Sequence, residues 1–198
     1  LQKELGLEEN DKKFMIGIVS RLTDQKGLDL VNDVIPGIMD GNTQVVVLGT
    51  GDSWYEEAFR SYENQYKGSF CAYIAYDENV AHNIYSGCDA LLVPSRFEPC
   101  GLTQLIAMRY GAIPIVRETG GLRDTVWPYN MFDNTGNGFT FDRYESGLLY
   151  DTINRAKTCY FENRASWDDM VIRDMNKDVS WETSARQYKD MYVELTPR

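Results

Sequence analysis

The chain has 198 residues, 43% of them apolar, which suffices for one good core and a soft expectation of a single domain. Its 30 acidic and 20 basic residues leave a formal net charge of −10, which argues against a nucleic-acid surface, because backbone phosphates need clustered cations. Any anionic ligand must be held by a local pocket.

In chain order, short β-rich apolar runs at 14–20, 44–48, 70–74, 90–93 and 113–116 read as strands of a fully covered parallel sheet. Helix-length segments start near Leu28, Asp52, Asp77 and Gly101, with Asp52 and Asp77 at N-cap positions and Gly87 and Gly111 ending helices. Residues 138–141 read as a last short strand, after which the chain turns mainly helical, with Trp181, Ala185, Tyr188 and Tyr192 on one helix face. The alternation predicts an α/β, doubly wound, mostly parallel sheet with helices on both faces and a helical C-terminal segment. One domain over 1–198 is expected, without a long linker or repeat. The opening at Leu1 rather than Met suggests a piece of a longer protein.

Cys71, Cys88, Cys100 and Cys159 show no Cys-x-x-Cys spacing, and His82 is the only histidine, so a zinc site is not expected. Cys71 and Cys88 lie in or beside apolar runs and read as reduced, buried thiols. No unbroken apolar run reaches transmembrane length and no basic-plus-apolar leader occurs. His82 lacks a serine or cysteine partner motif and reads as a surface helix residue.

Three strand-to-helix loops carry the chemistry. Val93-Pro-Ser-Arg-Phe-Glu-Pro-Cys-Gly-Leu-Thr103 presents Arg96, Glu98 and Cys100 before a helix whose free N–H groups can hold an anion. Ser20-Arg-Leu-Thr-Asp-Gln-Lys-Gly27 places Arg21 and Lys26 five residues apart, and Thr119-Gly-Gly-Leu122 is a glycine-rich connection after the 113–116 strand. All leave strands at their C-terminal ends and so face one crevice, where two cations, a carboxylate and a helix start suit a phosphorylated ligand. Taken singly, Arg21 and Lys26 read equally well as solvated charges and Gly27 as a helix-start glycine. Tyr76 reads on pattern alone as boundary packing, with base stacking the alternative. Gly49-Thr-Gly51-Asp52 lacks the third glycine of a dinucleotide fingerprint, which disfavours an NAD- or FAD-dependent oxidoreductase. The absence of any Asp-x-Asp pair weakens a metal-neutralised diphosphate, leaving that task to Arg21 and Lys26.

Together with Arg109-Tyr-Gly-Ala-Ile-Pro-Ile-Val116 and Ser180-Trp-Glu-Thr-Ser-Ala185, these motifs resemble the C-terminal, nucleotide-sugar-binding domain of the bacterial glycogen synthase and plant starch synthase family, retaining glucosyltransferases of the GT-B fold. The resemblance runs over almost the whole chain. It implies one Rossmann-like half of that fold, binding ADP-glucose for transfer to the non-reducing end of an α-1,4-glucan. By position, it implies that Arg21 and Lys26 contact the donor diphosphate and Glu98 is the essential acid beside the glucose. Cys100 and Gly101 line the sugar pocket, Leu102 and Thr103 open a phosphate-holding helix, and Tyr76 stacks on adenine. Thr119, Gly120 and Gly121 lie near the glucose.

The resemblance implies no cofactor and no metal, with ADP-glucose or ADP as ligand, the glucan as a partner through an absent N-terminal domain, and neither nucleic acid nor membrane as partner. The segment 180–195 is expected to cross toward that domain, leaving an apolar stripe incompletely covered. The isolated chain is expected to bind donor without catalysing, in a bacterial cytoplasm, or a plastid if the source is a plant. Ile106 stands where many related retaining transferases carry a second glutamate, and Ala75 where many have glycine before Tyr76. The reading from a different class is a non-catalytic nucleotide-sugar or nucleotide-binding module.

Overall fold

The computed structural model describes residues 1–196. Strands β1 (Phe14–Val19), β2 (Thr43–Leu48), β3 (Phe70–Tyr73), β4 (Ala90–Val93), β5 (Ile113–Arg117) and β6 (Phe139–Phe141) form one sheet in the order β3-β2-β1-β4-β5-β6, parallel at every pairing. They alternate with helices α1 (Leu28–Ile38), α2 (Ser53–Gln65), α3 (Glu78–Gly87), α4 (Thr103–Tyr110), α5 (Gly120–Thr125), α6 (Ser146–Glu162), α7 (Arg164–Asn176) and α8 (Trp181–Leu195). The expected doubly wound sheet is present. Its order reverses between β1 and β4, so the loops at their carboxyl ends diverge and leave a crevice.

Side chains alternate across the strands, so both faces need cover, which is why the strands read as continuous apolar runs rather than alternating ones. Phe14, Ile16 and Ile18 pack with Val31 and Ile35 of α1, Phe59 of α2 and Ile153 of α6 in one core. Met15, Val46, Leu91 and Val116 pack with Ile84, Ala107 and Leu122 of α3, α4 and α5 in the other. Cys71, Cys88 and Cys159 are buried free thiols and Cys100 is exposed.

Two local expectations shift. Helix α4 begins at Thr103 rather than near Gly101, because Gly101 holds a left-handed φ of 74°, which no right-handed helix continues. Asp77 caps α3 by accepting from Val80 N at 3.0 Å, whereas the Asp52 side chain makes no cap bond and Glu56 instead accepts from Gly51 N at 3.0 Å. Helix α8 buries none of its residues, and Trp181 at its start is 88% exposed. Among the described residues no helix is long and apolar enough to cross a membrane.

Candidate functional site

The loop after β1 makes a single 3-10 turn at Asp24–Lys26 and then enters α1 through Gly27, whose φ is 74°. A Cβ on Gly27 would lie 2.2 Å from the Pro94 carbonyl oxygen, so glycine is required where the β1 and β4 loops touch. That contact sets Lys26 against Glu98. Lys26 Nζ donates to Glu98 Oε2 at 2.6 Å, and Ser95 Oγ donates to the same oxygen at 3.0 Å. Both charged side chains are mostly buried, 19% and 12% exposed, so neither is a freely solvated charge.

Other donors fix the two loops. Gln25 Nε2 donates to the Phe97 carbonyl at 2.9 Å, and Arg96 N to the Gln25 carbonyl at 2.9 Å. From the end of β5, Arg117 donates through Nε to the Ser95 carbonyl at 2.9 Å, through Nη1 to the Asp142 carbonyl at 3.2 Å, and also to the Arg96 carbonyl. Arg96 itself stacks 4.5 Å above the Tyr144 ring and approaches Asp29 at 3.4 Å, while Tyr144 donates to the Asp29 carboxylate. Burial and the neighbouring Asp29 push the Tyr144 phenol up to about 12, so it stays a donor at neutral pH.

Arg21 is exposed, donates to Gln25 Oε1 at 3.3 Å and pairs with no carboxylate among the described residues. It borders two adjoining hollows. One, of about 200 Å³, also takes Lys26, Ser95 and Thr103, where the first turn of α4 leaves N–H groups without helical partners. The other, of about 380 Å³, is lined by Gly49, Thr50, Tyr76 and Tyr85. Tyr76 is 84% exposed and donates to Glu78 Oε1 at 2.9 Å. This corrects the boundary-packing reading of Tyr76: its ring is open at the rim of a hollow, because β3 ends at Tyr73 and the chain leaves the sheet before it.

Cys100, Gly101, Leu102, Thr119, Gly120 and Gly121 line neither hollow. They form the neighbouring rim. Gly121 N donates to the Glu98 carbonyl at 3.1 Å, and a Cβ on Gly121 would lie 1.7 Å from the Cys100 carbonyl oxygen, so the 119–121 loop lies directly on the 98–100 loop. Thr119 sits at the N-cap of α5 without a side-chain cap bond. His82 is exposed on α3, as expected, its Nδ1 2.7 Å from the Glu78 carbonyl. Among the described residues no group of three or more His, Cys, Asp or Glu gathers as metal ligands would.

Sequence reasoning missed Arg117, Ser95, Gln25 and Tyr144. The only signal for Arg117 was a cation directly after a predicted buried strand.

A parallel doubly wound sheet with charged and glycine-rich loops converging at its switch point defines a Rossmann-like α/β domain with its ligand crevice at the carboxyl edge. The family model described as "Glycosyl transferases group 1" matches residues 3–171, and the chain belongs to that family. It is 52% identical over 195 residues to a glycogen synthase of Lachnospira eligens, covering 98% of this chain and 41% of the relative. A glycogen synthase of Clostridium beijerinckii is 48% identical over 196 residues, covering 99% and 41%. The chain thus spans about two-fifths of the length of these relatives. Among solved structures, the catalytic domain of starch synthase IV from Arabidopsis thaliana, bound to ADP and acarbose, superposes with a TM-score of 0.88 at 36% identity, over 98% of this chain and 41% of that one. Sucrose-phosphate synthase from Thermosynechococcus elongatus shares the fold, with a TM-score of 0.72 at 21% identity over 98% and 48%.

Proposed function

We propose that this chain is the donor-binding half of a glycogen synthase and holds ADP-glucose for transfer of glucose to the non-reducing end of an α-1,4-glucan. The observation that carries the proposal is the Lys26–Glu98 pair across the switch point, with Arg21 and the start of α4 beside it. The ADP bound to the starch synthase IV catalytic domain and the glycogen synthase names of the relatives support the choice of donor.

The chemistry follows from the charges. Glucose leaves a diphosphate whose developing charge is met by Lys26, Arg21 and the α4 amides, fixed donors in a partly closed crevice. No strong general acid is then needed on the leaving oxygen, unlike glycoside hydrolysis with its carboxylate pair. We assign Glu98 to the glucose side and Tyr76 to the adenine. Cys100, Gly101, Leu102, Thr103, Thr119, Gly120 and Gly121 form the rest of the donor wall. The cations take the part a divalent ion plays elsewhere, so the proposal calls for no metal or cofactor.

The acceptor surface belongs to a second domain that this proposal places outside the chain, with residues 180–195 crossing toward it, and the cytoplasm is the proposed site of action. The chain alone would bind donor without elongating glucan, because transfer needs donor and acceptor held together. Titrating it with ADP, ADP-glucose, UDP-glucose and NAD tests the proposal, with tight binding expected for the first two. Labelled glucose appearing in glycogen in the presence of the pure chain would contradict the division of labour.

A further inference from the structure

Gln104 is fully buried at the start of α4, and its polar end faces two loops rather than the core. Its Nε2 donates to the Gly101 carbonyl at 2.9 Å and to Thr125 Oγ1 at 3.1 Å. Thr125 Oγ1 in turn donates to the Gly121 carbonyl at 2.6 Å. The Thr125 hydroxyl hydrogen is thereby committed, so the hydroxyl can only accept from Gln104, and a flipped amide would set oxygen against the Gly101 carbonyl. The amide orientation is therefore determined by its partners, at the cost of leaving Gln104 Oε1 without a partner among the described residues. A fold in need only of bulk at this buried position would place an apolar side chain there, since a buried amide with an orphaned oxygen is unfavourable.

The two carbonyls belong to the 98–101 and 119–121 loops. Those loops also meet directly through Gly121 N and the Glu98 carbonyl. Gln104 and Thr125 thus close a ring of hydrogen bonds behind the contact, from Gly101 through both side chains to Gly121. The far end of Thr125 is held too: its carbonyl accepts from Asn137 Nδ2 at 3.1 Å and from Lys177 Nζ at 2.9 Å.

Strand order says which part of a ligand this ring serves. Along the carboxyl edge, Tyr76 follows β3, Gly49 and Thr50 follow β2, and Arg21 and Lys26 follow β1. The 98–101 loop follows β4 and the 119–121 loop β5. Neighbouring strands lie about 4.8 Å apart, so a ligand from β3 to β5 crosses about 19 Å. With its base at Tyr76 and its phosphates at Lys26 and the start of α4, a nucleotide sugar meets the 98–101 and 119–121 segments with its sugar.

We propose that Gln104 and Thr125 are positioning residues that set the separation of the 98–101 and 119–121 loops and so tune the affinity for the sugar of a nucleotide-sugar donor, not for its nucleotide. The inference rests on the donor reading above. Neither side chain touches the donor; both act through the carbonyls of Gly101 and Gly121.

The test compares the calorimetric affinities of the 198-residue chain for ADP and for ADP-glucose. Thr125→Val keeps the shape but removes the hydroxyl, so the Gly121 carbonyl retains only its bond within α5 and one Gln104 N–H is left unpaired. ADP-glucose affinity should fall about tenfold while ADP affinity stays within twofold, and Thr125→Ser, which restores the hydroxyl, should recover the ADP-glucose affinity. Hydrogen exchange at Gly121 N should quicken in Thr125→Val and return to normal in Thr125→Ser. Should the valine variant not fold, Thr125→Ala removes the same hydroxyl without crowding and carries the same forecast. Equal losses for ADP and ADP-glucose, or no loss for either, would overturn the positioning role. A wild-type chain that binds neither ligand would instead overturn the donor reading itself.

Discussion

Lys26 and Glu98, from loops following different strands, meet at 2.6 Å over the point where the sheet order reverses. Each neutralises the other's charge. On the proposed function, an incoming diphosphate would compete with the Glu98 carboxylate for Lys26, so the carboxylate would restrain nucleotide binding.

Glu98→Gln removes that competition and keeps the acceptor for Ser95. ADP affinity should rise about three- to tenfold, because Lys26 then offers its full charge to the diphosphate in a partly desolvated site. Turnover should fall by on the order of 100-fold when the variant chain is grafted into the Lachnospira eligens glycogen synthase in place of the matching segment. A variant that loses ADP affinity and stability together would make Glu98 a scaffold for the loop, consistent with a binding module rather than an enzyme.

Lys26→Ala leaves a mostly buried carboxylate unpaired. Exposed pairs contribute below about 1 kcal/mol, whereas breaking a buried one costs about 3–5 kcal/mol; the intermediate burial here points to about 2 kcal/mol. For a chain of this size that lowers Tm by about 4–8 °C. Adding Glu98→Gln should restore most of the stability but none of the ADP affinity, a non-additivity that a double-mutant cycle reads directly. Simple additivity in Tm would show the pair to be energetically idle.

Tyr76 lies open at the rim of its hollow, so Tyr76→Ala should change Tm by less than about 2 °C. If the ring stacks on a base, the same change should weaken ADP by about tenfold or more, as losing a base–aromatic contact does. Unaltered ADP affinity would remove the ring from the site.

Asp174 on α7 is buried, and both its carboxylate oxygens lack close hydrogen-bond partners among the described residues. Burial lifts its pKa to about 7, against the opposing pull of the neighbouring Asn137 amide, Lys177 and Arg173. The folded state therefore holds a proton that the unfolded chain releases near pH 4, so this group's contribution to stability falls as pH rises from about 4 to about 7. Asp174→Asn should raise Tm at pH 8 and flatten the curve over that window. Parallel Tm curves for both proteins between pH 4 and 8 would place the ionisation elsewhere.

Much of the fold was legible because covered parallel strands leave a simple trace: 90–93 reads as β4 residue for residue, and β1 and β5 differ by one residue each at their carboxyl ends. Lys26 and Glu98 were legible as candidates because charges in strand-to-helix loops are conspicuous. Their pairing was not, since it depends on Gly27 letting two loops touch across 72 residues of sequence. Arg117 acts through backbone carbonyls 21 to 25 residues away, and Gln104 meets Thr125 across 21 residues, links that no local spacing encodes. Tyr76 misled for the opposite reason: an aromatic beside an apolar strand reads as packing, and only the end of β3 at Tyr73 leaves it exposed.

The central claim is that one nucleotide-sugar donor lies along the carboxyl edge of the sheet from Tyr76 to Gly121. Amide shift mapping of the chain with saturating ADP-glucose tests it most directly. Shifts should appear together at Ala75–Asp77, Ser20–Gly27, Glu98–Thr103 and Thr119–Leu122, with ADP alone reproducing the first two groups and sparing the last. Shifts clustered elsewhere, such as the α6 surface, or an equal response to NAD, would contradict it.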